Sequence, residues 1–148
     1  MIAVELNENT IDLEGQELVP VEVGHSDTDF STVLYVPSAN LVVAGDVAYN
    51  DVHLMLAESR NSQKRMEWIS ALNKIESLKP RAVIAGHKRE GKEDSPNIIE
   101  ETRQYIRDFN RTAETTNNAT ELYDKMLEIY PNRVNPGALW ASARALYV

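Results

Sequence analysis

Leu41-Val42-Val43-Ala44-Gly45-Asp46 is an apolar run closed by a glycine and an acid. Four apolar residues in succession do not alternate with polar ones, so both faces of this strand call for burial. Val33-Leu34-Tyr35-Val36, just upstream, has the same character. Pro37-Ser38-Ala39-Asn40 is the turn between the two. Two adjacent strands buried on both sides belong inside a layered α/β fold, since helices readily cover one face and something else must cover the other.

Working outward, residues 10–14 alternate apolar and polar, Gly15-Gln16 turns, and Glu17 to Val23 resumes the extended pattern, which predicts a hairpin. Pro20 cannot donate a ladder hydrogen bond and places that part of the strand near an edge. Gly24-His25-Ser26-Asp27-Thr28-Asp29 reads as a loop. Downstream, Trp68, Ile69, Leu72, Ile75 and Leu78 recur at helical spacing, predicting a helix over 62–78 capped by Asn61 or Ser62 and closed by Pro80. Arg81 to Ala85 is a buried strand ending at Gly86-His87. Ser95-Pro96 opens a second helix. Thr112 to Asn118 is a polar linker, and Asn118 with Glu121 caps a helix to Tyr130. Residues 131–137 break the chain before a short final helix in which Trp140, like Trp68 earlier, is expected in the core.

The expected fold is α/β, with one sheet of about five strands and helices on one face. The strand carrying Leu41 to Ala44 is expected at its centre, with Asp46 at its C-terminal end. All 148 residues suit a single domain, 1–148, with 112–148 as a C-terminal helical extension.

Composition narrows the chemistry. There is no cysteine, which excludes disulfides, thiolate nucleophiles and Cys-ligated zinc. Residues 1–59 hold eleven acids and no Lys or Arg; the net charge of the whole is −8. An acidic surface argues against broad contact with nucleic-acid phosphates. No apolar run reaches the roughly 20 residues of a membrane span. No secretory signal is visible, and a soluble cytoplasmic protein is the expectation.

His25 follows Glu22-Val23-Gly24, His87 follows Ile84-Ala85-Gly86, and Asp46 follows Val43-Ala44-Gly45. Each of the three stands past a predicted strand end, behind a glycine that clears space beside it. Imidazole and carboxylate are the natural ligands of zinc, iron or manganese. One such pair commonly just ends a strand; three suggest a shared site. Asp27 and Asp29 beside His25 could bind metal, or could be solvated loop acids. His53 could line a pocket, or lie at the surface or a helix cap. Lys88, with Arg89 and Lys92, could meet an anionic substrate, or form only a charged loop.

In this order and spacing, 24–29, 41–46 and 83–87 resemble the metallo-β-lactamase superfamily, over about residues 10–110. The resemblance implies an αβ/βα sandwich of two sheets with helices outside and a site that usually holds two metals. His25 would match the third histidine of the first metal, Asp46 the bridging aspartate and His87 the final histidine of the second metal. The family's His-x-His-x-Asp-His motif has no match here. The chain therefore resembles the C-terminal half alone, with three of seven ligand positions.

Two functions follow as expectations. One is a metal-dependent hydrolase fragment, acting on an ester, thioester, lactam or phosphoester through metal-bound water, with weak or absent activity in isolation because the metal site is incomplete. The other is a non-catalytic truncated half-fold that self-associates or binds a partner. The uncovered sheet face predicts a homodimer, or union with a separate N-terminal half.

Overall fold

The computed structural model describes residues 9–147. Its sheet has five strands in sequence order: β1 (Ile11–Leu13), β2 (Gln16–Gly24), β3 (Ser31–Val36), β4 (Leu41–Asn50) and β5 (Ala82–Lys88). The first three pairings are antiparallel and β4–β5 is parallel, with α1 (Ser62–Ser77) as the crossover. Then come α2 (Ile98–Ala113), α3 (Ala119–Ile129) and α4 (Pro136–Leu146).

The local signals act as their chemistry dictates. Asn61 accepts from the Lys64 amide at 2.8 Å and caps α1. Asn118 accepts from the Glu121 amide at 2.9 Å, while Glu121 reaches back to the Asn117 amide. β1 pairs only with Gln16 to Leu18, so Pro20 lies beyond its cover and β2 is locally an edge there, as its missing donor requires.

One face of the sheet is covered. Val33, Val42, Ala44 and Val83 are fully buried against Trp68, Leu72, Ile75 and Ile106 in one core. Leu122 and Met126 of α3 and Leu139 and Ala143 of α4 join the same core. The other face carries the cross-strand row Pro20, Leu34, Val43 and Ile84, matched residue to residue. Among the described residues no helix covers it: Val43 is 37% exposed and its three partners are half-buried.

Three expectations need correction. β4 does not stop at Gly45-Asp46 but runs on to Asn50, because a bulge absorbs the glycine and the ladder with β5 resumes at Tyr49. β4 is next to the edge of the sheet, with β3 at the centre, because β5 pairs on only one side. Trp140 is 40% exposed, since it lies on the outside of α4, edge-on to Tyr123.

Candidate functional site

The site begins with the bulge in β4. Gly45 pairs with Ala85 and Tyr49 with His87, so three residues of β4, 46–48, stand opposite one residue of β5. Gly45 takes a left-handed φ of 55°, which glycine adopts without strain. The bulge is pinned from behind. Trp68 Nε1 donates to the Val47 carbonyl at 2.8 Å, and Thr102 bonds both the amide and the carbonyl of Tyr49.

The result is that Asp46 Oδ1 faces His87 Nε2 at 3.4 Å, both side chains about half exposed. The His87 ring stacks on Tyr49 at 5.2 Å between centroids. Asp27 stands near enough for its charge to couple to that of Asp46. Its pKa is raised by burial first, against a hydrogen bond from Ser26, with the Asp46 charge adding to the rise. Burial, then the charges of Asp46 and Asp27, push the Tyr49 hydroxyl up in the same direction. The Asp46 carboxyl beside the His87 imidazole, with the Asp27 charge coupled to that of Asp46, gives this half-exposed ledge a negative character that attracts a cation.

His25 has a different setting. It lies directly beyond β2, as expected, but its side chain is buried and engaged at both nitrogens. Nδ1 meets Asp29 Oδ1 at 2.8 Å, and Nε2 meets Ser59 Oγ at 2.7 Å. Asp29 is also gripped by Lys64 at 2.7 Å; that hydrogen bond first, and His25 second, hold its carboxyl below the usual carboxylate range. Asp29, His25 and Ser59 thus follow the order of a hydrolytic triad. Ser59 has no exposed surface, so no substrate can approach its hydroxyl, and a nucleophilic role is excluded in this conformation.

A tetrahedral zinc with bonds of about 2.0–2.1 Å sets neighbouring ligand atoms about 3.3 Å apart. The 3.4 Å between Asp46 Oδ1 and His87 Nε2 fits one such edge. Among the described residues, no three His, Asp or Glu side chains are grouped to hold a metal ion. The donor set therefore fits a metal in part, through two atoms.

The remaining expected residues lie elsewhere. His53 is neither at the surface nor at a cap: it is fully buried, with Nδ1 2.9 Å from Tyr105 Oη, because the loop after β4 turns inward under α2. Its Nε2 has no partner among the described residues. Burial first, and Arg133 second, push its pKa down to about 4. Lys88 pairs with Asp94 at 2.8 Å, while Arg89 and Lys92 both reach Asp51, so these bases brace their own loop. A hollow of about 560 Å³ lined by Asp51, Lys92, Glu101, Gln104, Tyr130 and Arg133 includes none of the strand-end residues. Ser59, Tyr49 and Lys64 are not legible in the sequence as site residues. Ser59 meets His25 across 34 positions, and no local pattern marks it.

The family model for the metallo-beta-lactamase superfamily matches residues 2–87, more than half of the chain. Among solved structures, a metallo-beta-lactamase family protein from Thermus thermophilus is 18% identical with a TM-score of 0.66, covering 99% of this chain and 48% of that one. A metallo-beta-lactamase from Pontibacter korlensis is 18% identical with a TM-score of 0.55, covering 69% and 47%. At these identities the likeness is one of fold. The chain spans about half the length of these structures. Among curated proteins, no sequence matches.

Proposed function

This chain belongs to the metallo-beta-lactamase superfamily, and on that premise we propose that it supplies part of a metal-dependent hydrolytic site. The observation that carries the reading is the 3.4 Å approach of Asp46 Oδ1 to His87 Nε2, made possible by the β4 bulge. Asp46 and His87 would hold zinc, iron or manganese, with His25 as a third ligand once released from Ser59. A metal so bound supplies water activation near neutral pH and polarisation of a carbonyl or phosphoryl oxygen. Asp27 keeps the ledge negative, and Tyr49 backs the His87 ring and fixes its plane.

The substrates in view are esters, thioesters, lactams and phosphoesters. Hydrolysis by this chain alone is expected to be weak or absent, because three of the superfamily's ligand positions are represented and the support of the second sheet is lacking. The test is turnover of one generic substrate of each class with added zinc, manganese or iron, beside His25→Ala and His87→Ala. Weak turnover lost in both variants supports the site. Turnover that ignores both substitutions places any activity elsewhere.

A second reading rests on the bare row Pro20, Leu34, Val43 and Ile84. An apolar sheet face without a helix over it favours association. The partner would be a second copy of this chain or a separate N-terminal half, with non-catalytic binding as the alternative role. No helix among the described residues is long and apolar enough to cross a membrane.

A further inference from the structure

We propose that the hollow at the N-terminal end of α1 binds the phosphate of a small organic phosphate monoester, held by Arg65, Arg60 and the first turn of the helix. This site is separate from the Asp46–His87 ledge and needs no metal.

Arg65 is only 4% exposed, yet among the described residues its charge has no carboxylate partner. Nε donates to Asn110 Oδ1 and Nη1 to the Ser59 carbonyl at 2.8 Å, both neutral acceptors. The guanidinium carbon stands 5.5 Å from the centre of the Phe109 ring. Nη2 makes no hydrogen bond to a described residue, and the side chain lines a hollow of about 540 Å³. Buried charges are ordinarily paired, because burial alone disfavours them. Here burial lowers the arginine pKa. Arg60, exposed on the same hollow, forms no ion pair with a described residue either; only its Nε is engaged, by the Ala57 carbonyl at 3.3 Å.

The backbone adds to these charges. Asn61 and Ser62, the cap and first residue of α1, line the hollow, and the first turn holds no acid. Asn61 Oδ1 takes the Lys64 amide, while the Ser62 amide has no acceptor among the described residues. The positive end of a 16-residue helix thus opens on the same space as two guanidinium groups. The protein as a whole carries a net charge of −8, so this cluster is no part of a generally basic surface. Glu114 is an exposed acid on the wall, and one carboxylate against two guanidinium groups leaves the hollow net positive. Guanidinium forks and a helix N-terminus suit phosphate oxygens. Met66, Ala113 and Leu146 give the hollow an apolar wall, which suits an ester with an apolar alcohol better than phosphate alone.

The test is an NMR titration of the full chain, in the presence of EDTA, with phenyl phosphate, inorganic phosphate and phenol. Phenyl phosphate should bind saturably and shift the Ser62 amide. Inorganic phosphate should shift the same amide with weaker affinity, and phenol should not. Arg60→Ala, at an exposed position, should weaken phenyl phosphate binding about tenfold, the effect of losing a charged hydrogen bond. Arg65→Lys keeps the charge but loses the fork and should weaken it as well. Glu114→Gln should tighten it about twofold by removing an exposed like charge. His87→Ala should leave it unchanged. No saturable binding by the wild type overturns the proposal. So does binding indifferent to both Arg60→Ala and Glu114→Gln, two exposed changes that leave the core intact. Binding lost in His87→Ala assigns the phosphate to the ledge instead, and phenol acting like phenyl phosphate reduces the hollow to an apolar groove; either result overturns the proposal.

Discussion

A Cβ placed on Gly86 would collide with the Asp46 carboxylate and come within 2.9 Å of the Gly45 carbonyl carbon. Gly86 is therefore a glycine because Asp46 leans across it toward His87. Gly86→Ala should displace the Asp46 side chain and cost about 1–3 kcal/mol, the range for forcing extra carbon into a packed position. Thermal unfolding checks the stability, and the His87 ring resonances check the loss of the Asp46 contact.

Trp68 links the core to the ledge. Its indole fills the space under the sheet, and its Nε1 holds the Val47 carbonyl inside the bulge. Trp68→Phe keeps most of the apolar bulk but removes the donor. The expected cost is about 1–3 kcal/mol for the unsatisfied buried carbonyl, together with looser Asp46 geometry. Hydrogen exchange of the 46–49 amides should rise in the variant, while that of β2 and β3 stays unchanged.

His53 gives a pH dependence of defined sign. Its folded pKa of about 4 lies below the ordinary 6.5, so the unfolded chain binds the extra proton first. The stability this group contributes is complete above pH 6.5 and is lost as pH falls toward 4. Urea unfolding at stepped pH should show this decline, and His53→Gln should flatten that part of the profile. Burial is the first cause and the Arg133 charge the second, and a proton on the orphaned Nε2 would meet no acceptor among the described residues.

The apolar row on the open sheet face predicts association. Val43→Glu places a charge at its most exposed position. Sedimentation at micromolar concentration should show the wild type as a dimer and Val43→Glu as a monomer of unchanged fold. A monomeric wild type would remove self-association and leave a separate partner as the occupant.

Much of the fold is legible in the sequence because its signals are local. The Asn61 and Asn118 caps, the 62–78 periodicity and the unbroken apolar runs of β3 and β4 each act within a few residues. The continuation of β4 past Gly45 is not legible, because a bulge interrupts the apolar pattern at the very point where the ladder resumes. His53 is misread because a histidine after Asn50-Asp51 has the look of surface, and only the inward turn of the loop buries it. Of the site, the glycine-aspartate and glycine-histidine pairs single out Asp46 and His87, whose side chains lie 3.4 Å apart. Nothing local shows that His25 is tied to Ser59 and Asp29 instead.

The central claim is that Asp46 and His87 form one edge of a metal site. Equilibrium dialysis against zinc tests it most directly, on wild type, Asp46→Ala, His87→Ala and, as a control on the neighbouring loop, Lys88→Ala. The account predicts saturable binding by wild type and Lys88→Ala, weakened at least about tenfold by either site substitution, in keeping with loss of a direct ligand. Binding equal in all four proteins, or no binding in any, would contradict it.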